Sequence, residues 1–166
     1  MHSPKSVANY FLELADAKGE SISPMKLQKL VYYAHGWYAG YTQQPLIDEA
    51  VEAWQYGPVI PSLYHEFKRF GASNIKGKAI DFDLRGPTEV ATPPDQKIRT
   101  FLENVWKSYG GYTGVTLSEM THAIGTPWDV TWSKCPGVRG QDIPFTQIVE
   151  WFGAAVAKTQ QQVVER

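Results

Sequence analysis

A mainly α fold follows from three features of the sequence: a compact single domain of about six helices with a small two-stranded β element. Four prolines follow a hydroxyl residue, at Ser3-Pro4, Ser23-Pro24, Thr92-Pro93 and Thr126-Pro127. Each pair offers a hydroxyl N-cap and a ring at the first helical position, where the missing N–H costs nothing. Apolar residues then recur at helical spacing after these starts, and only two short stretches alternate as strands do. At 166 residues the chain has the length of one domain.

The elements are predicted in order. After Pro4, Val7, Tyr10, Phe11, Leu14 and Ala15 form one helical face, and Gly19 stops it. Over residues 23–41 one stripe carries Leu27, Leu30, Val31, Ala34, Tyr38 and Tyr41, while Tyr33 and Trp37 open a second face. A helix apolar on two faces belongs at the centre of a fold. Residues 59–70 place Ile60, Leu63, Tyr64 and Phe67 together, entered through Gly57-Pro58 or Pro61 and closed by Gly71. A further helix spans 93–109, ended by Gly110-Gly111, and a short one spans 115–124 through a capping box of Thr116 and Glu119. The last begins near Pro144, and its polar end, 158–166, reads as a frayed tail. Residues 52–56 and 80–84 read as two short strands that could pair, and 72–92 and 133–143 as loops.

Sixteen Lys and Arg stand against seventeen Asp and Glu, a net charge of −1, split as −1 through Asp83 and 0 beyond it. That balance argues against nucleic acid or an anionic membrane as the dominant partner. A mean hydropathy of −0.34 and the lack of a long apolar run argue against a membrane span. Asn9 and Glu13 interrupt the first apolar stretch, so no secretory signal is expected. With one cysteine, Cys135, no internal disulfide forms, and a cytoplasmic location is the expectation.

Catalytic and metal motifs fail in turn. His65-Glu66 opens like a zinc-protease helix, but Arg69 occupies the place of the second histidine. His2, His35 and His122 have no ligand companion at helical spacing, so no metal or cofactor is expected. Gly71 to Lys78 lacks the second glycine and the hydroxyl of a phosphate loop. Cys135-Pro136-Gly137 reads as a turn rather than a nucleophile with His122 as its base, and Asp81 and Asp83 read as the solvent face of an edge strand rather than a Mg²⁺ pair. The chain is expected not to be an enzyme. Lys26, Lys29 and the basic residues from Lys68 to Lys78 interleave with aromatics, so a nucleic-acid-binding regulator using that face is the alternative reading.

The feature left over is aromatic. Of 22 aromatic residues, ten fall between Tyr32 and Phe70, where even spreading would give about five. Trp54, Tyr56 and Tyr64 lie around a short strand and a Gly-Pro turn, where amphipathic rings reach the surface and serve as interface anchors. Whether all ten are core packing or some face a partner stays open at this level. The candidate partner-contact residues are Trp54, Gln55, Tyr56, Tyr64, His65 and Lys29.

Two stretches carry a resemblance. The run from Lys26 through Leu27-Gln28-Lys29-Leu30-Val31-Tyr32-Tyr33-Ala34-His35-Gly36-Trp37, then Pro45-Leu46 and Glu52-Ala53-Trp54-Gln55-Tyr56-Gly57-Pro58-Val59-Ile60-Pro61-Ser62-Leu63-Tyr64, resembles the Panacea domain family of SocA-type antitoxins and phage-associated proteins. Leu117, Thr121-His122 and Pro127-Trp128 fit its later helices. The resemblance implies a helical domain over residues 1–157 that neutralises a toxin encoded beside it by direct protein–protein contact. It names no catalytic residue and does not identify the toxin or the oligomeric state. Some members add a DNA-binding domain. With two residues before the first helix signal, none is expected here, and whether the chain regulates transcription stays open at this level.

Overall fold

The computed structural model describes residues 1–164. Among these, α1 (Pro4–Ala17) and α2 (Pro24–Thr42) lead into a hairpin of β1 (Glu52–Trp54) and β2 (Gly57–Val59). Next come α3 (Pro61–Phe67), a 3-10 turn (Lys68–Phe70) and a second hairpin of β3 (Ile80–Asp83) and β4 (Gly86–Glu89). The chain closes with α4 (Gln96–Tyr109), α5 (Gly114–Thr121), α6 (Pro127–Trp132), β5 (Gln141–Asp142) and α7 (Phe145–Val164). The fold is mainly α, as expected.

Helix α2 occupies the centre that its two apolar faces demand. Every residue from Leu27 to Gly36 is buried, and the helix packs against α1, α3, α4, α5, α7 and β2. Its closest neighbour is α7, and the reason is a notch of two glycines one helical turn apart. A Cβ on Gly36 would collide with the Phe152 ring, and one on Gly40 would lie 2.8 Å from the Phe152 carbonyl carbon. Phe152 fills the notch and makes edge contacts with Tyr32, Tyr33 and Trp37, at centroid distances of 5.9, 6.3 and 5.4 Å. Tyr33 stacks on Tyr109 of α4 at 4.4 Å, and Trp37 Nε1 donates to the Tyr109 hydroxyl. Burying a ring of this size stabilises a fold by about 2–3 kcal/mol, so this aromatic knot is a large part of the core.

Three of the four hydroxyl-proline pairs start helices, at α1, α2 and α6. Thr92-Pro93 does not. Pro94 bars Pro93 from helical geometry, so the chain runs on to Asp95, whose carboxylate accepts from Lys97 N and caps α4. Arg99 then folds back to donate to the Pro93 carbonyl and the Thr92 hydroxyl. The expected capping box at Thr116 is displaced as well: Thr113 is the N-cap of α5 and accepts from Thr116 N. For α3 the entry left open resolves to Pro61, because Gly57-Pro58 belongs to β2. Helix α7 continues through the expected polar tail as far as Val164, and the remaining two residues of that segment lie outside the described ones.

The two predicted strands exist but do not pair with each other. Each has its own antiparallel partner across a two-residue turn: β1 with β2 and β3 with β4. Glu52 and Ala53 of β1 pair on the other edge with β5, giving a three-stranded sheet in the order β2-β1-β5. The second hairpin is fastened at its root by α1. Asn9, fully buried, donates to the carbonyls of Ala79 and Val90 and accepts from Ala79 N, while Ser6 donates to Ala91 O. The polar residue that breaks the first apolar stretch is therefore a clamp, satisfying backbone groups that burial would otherwise leave unpaired.

Candidate functional site

The first hairpin is mounted on helices by alternate carbonyls. Along 54–60 the even-numbered oxygens point inward, and each meets a side-chain donor. Trp128 Nε1 of α6 donates to Trp54 O at 2.7 Å, and Ser118 Oγ of α5 donates to Tyr56 O at 2.5 Å. Lys29 Nζ of α2 donates to Pro58 O at 2.8 Å. Gln28 of α2 holds Ile60 at both ends, donating to its carbonyl and accepting from its N–H. Five side-chain bonds from α2, α5 and α6 thus hold the hairpin from the end of β1 to the residue beyond β2. The turn itself sits low: Gly57 has φ of +108°, and a Cβ there would lie 2.7 Å from Thr121 Oγ1 and 3.0 Å from Lys29 Nζ. Only glycine supplies both that backbone and that clearance.

Lys29 is 2% exposed, and no carboxylate offsets its burial, which pushes its amine down to about 7. This corrects its assignment as a surface contact: it supports the hairpin from beneath. His122 lies alongside, its ring stacked on Trp128 at 4.0 Å and its Nε2 buried with no hydrogen-bond partner among the described residues. Burial first, and then the charge of Lys29, lower its basicity.

On the outer side the hairpin borders an open-sided groove of about 960 Å³. Trp54, Gln55, Tyr56 and Tyr64 all line it, with Tyr56 62% exposed at the hairpin tip. Trp54 and Tyr64 meet edge to face at 4.7 Å. His65 is exposed beside Tyr64, at 5.5 Å between centroids, but is not part of the lining. The aromatic surplus thus divides: Tyr32, Tyr33 and Phe67 are core, while Tyr56 and Tyr64 are exposed.

Arg139 was not among the expected residues. Its guanidinium lies 3.5 Å from the Trp54 ring centroid and 5.3 Å from that of Tyr64, so it covers the aromatic wall with a cation. It arrives there because Gln141 pairs with Ala53 and Ile143 N donates to Val51 O, which draws the 133–143 segment onto β1. No periodicity in that loop announces the pairing.

Of the six cations in the basic face proposed for nucleic acid, the fold engages three and leaves Lys68, Arg69 and Lys76 exposed. Lys29 is buried, Lys26 donates to Gly110 O and lies over Trp106, and Lys78 is paired with Glu13 and Glu89. Asp81 pairs with Lys5, and Asp83 with Arg85. Cys135 is exposed. His35 is buried in α2, which lowers its basicity to about 4. Among the described residues no helix is long and apolar enough to cross a membrane.

The profile described as "Antitoxin SocA-like, Panacea domain" matches residues 27–129. The chain belongs to this family. It is also 39% identical to "Antitoxin SocA" of Caulobacter vibrioides (strain NA1000 / CB15N) over 128 residues, which covers 76% of this chain and 68% of that protein. No solved structure matches. The two stretches that carry the Panacea-domain resemblance are now seen to be mechanical partners. The Leu27-Gln28-Lys29-Leu30 turn of helix supplies the two side chains that hold Pro58 and Ile60, just past the Tyr56-Gly57-Pro58 turn. Thr121, His122 and Trp128 of the later helices complete the mount.

Proposed function

We propose that this Panacea-domain chain is an antitoxin that neutralises a toxin encoded beside it by direct binding, and that the groove bordered by Trp54, Gln55, Tyr56 and Tyr64 is where the toxin is held. One observation carries the reading: an exposed Tyr56 and a half-buried Trp54 stand on a hairpin fixed by five side-chain bonds from three helices. Association is costly when interface groups must be ordered first, and a preorganised aromatic surface avoids that cost. Tyr and Trp in such positions are the residues that dominate interface energies. The relative bearing the name of an antitoxin supports the class of function. On this reading the protein works in the cytoplasm by masking a surface of the toxin, not by catalysis. The nucleic-acid alternative is less favoured, since three of its six cations are engaged within the fold and the chain carries a net charge of −1.

The test is co-expression of the chain with the product of each adjacent gene, scoring growth and co-purification. One neighbour is expected to arrest growth alone, to be relieved by this chain, and to co-purify with it. Trp54→Ala and Tyr56→Ala should each weaken that complex about tenfold or more while the fold persists. A complex untouched by either substitution would place the interface elsewhere, and no toxic neighbour bound by the chain would remove the antitoxin reading.

A further inference from the structure

The groove has a charge of its own, distinct from the near-neutral chain. Among the described residues its ionisable lining side chains besides tyrosine are Lys68 and Arg139, with no Asp or Glu. Both cations are exposed, and among the described residues neither belongs to an ion pair. The nearest acid on the hairpin, Glu52, turns its carboxylate to Trp54 Nε1 at 2.7 Å. Apart from Gln28 and Gln55, the remaining side chains of the wall are apolar or aromatic, among them Met25, Val59, Leu63 and Trp132.

We propose that the groove takes a linear segment of the partner in which an Asp or Glu lies beside a large apolar side chain. The inference rests on the groove being the partner site, and adds the chemistry of what enters it. A guanidinium held over an aromatic face keeps its N–H donors in its own plane, where they can grip a carboxylate with two parallel bonds. Arg139, at 3.5 Å from the Trp54 centroid, is placed for that grip. Lys68 adds a point charge on the same groove, and the apolar wall accepts the neighbouring side chain. This arrangement recognises a short acidic-apolar motif, the pattern that binding grooves read from linear peptides.

Two assays test it on the full chain. A displayed library of random peptides is selected on the wild-type protein, and the selected peptides are titrated against Arg139→Glu, Lys68→Glu and Arg139→Lys. Enrichment of Asp or Glu next to Leu, Phe or Trp is expected. Binding should fall about tenfold or more in Arg139→Glu, less in Lys68→Glu, and partly in Arg139→Lys, which keeps the charge but loses the planar fork. Added salt should weaken it. Failure to select any peptide, selection of peptides without acids, equal binding by both charge reversals in folded protein, or displacement by an oligothymidine each overturns the inference. The co-purifying neighbour is assayed beside the peptides. If Tyr56→Ala releases it and Arg139→Glu does not, the groove remains the partner site and the acidic motif is wrong. If neither releases it, the groove itself is wrong.

Discussion

The molecule has two hairpins with the same punctuation and opposite circumstances. In Gln55-Tyr56-Gly57-Pro58 and in Leu84-Arg85-Gly86-Pro87, a two-residue turn is followed by Gly-Pro, with the glycine at φ of +108° and +110°. The first is bonded to helices from Trp54 to Ile60, and its Gly57 touches Thr121 and Lys29. The second is tied near its root, at Ala79, Ile80, Val90 and Ala91, to α1 through Lys5 and Asp81, to Glu66 of α3 through Ile80 N, and to Lys78 through Glu89. Nothing stands within 4 Å of a Cβ on Gly86, and Phe82 and Leu84 project into solvent. A turn motif therefore fixes local geometry and says nothing about rigidity. Rigidity comes from what lies beneath the turn: among the described residues helices reach the turn of the first hairpin, and only the root of the second.

The sharpest way to break this comparison is at the buried end of the mount. Gln28→Leu leaves the Ile60 N–H buried without a partner, while the Ile60 carbonyl keeps the N–H groups of Leu63 and Tyr64; it should cost about 1–3 kcal/mol in urea unfolding, the range for one orphaned group. Gly57→Ala meets both a strained backbone and a collision, for about 3 kcal/mol or more, whereas Gly86→Ala meets strain alone, for about 1–2 kcal/mol. Equal losses at the two glycines would mean that the mount does not bear on the turn.

Titration gives a smaller, signed effect. An unfolded Lys29 holds its proton up to about 10.5, but the folded one releases it near 7. Between these values the unfolded chain binds more protons, so stability should rise with pH from about 7 to about 10. Lys29→Met should flatten that slope in urea midpoints measured across the range. His35, lowered from 6.5 to about 4, makes stability fall as pH drops through that window, by up to about 3 kcal/mol. The smallest effect belongs to the free tip: Leu84→Ser should change stability by less than about 0.5 kcal/mol.

Much of the fold was legible in the sequence because helix starts are local. Ser23 and Thr126 cap α2 and α6 where the proline rule puts them. The rule failed at Thr92 because a second proline follows the first, and at Thr116 because Thr113 competes for the same role. The rings of the groove were legible too, since Trp54, Tyr56 and Tyr64 surround one Gly-Pro turn. Lys29 was misread because a lysine in an amphipathic pattern looks solvated, and only the fold brings a carbonyl over it. Arg139 was missed because a two-residue strand, more than eighty positions along from β1, carries it to the groove, and so short a pairing leaves no periodic trace.

The central claim is that the mounted hairpin, not the free one, meets the partner. Calorimetric titration of the proposed neighbour-encoded toxin into Tyr56→Ala and Leu84→Ala, side by side with the wild type, tests it most directly. The account predicts a loss of about tenfold or more for Tyr56→Ala and wild-type affinity for Leu84→Ala. The reverse pattern, with Leu84→Ala weakened and Tyr56→Ala unchanged in folded protein, would contradict it.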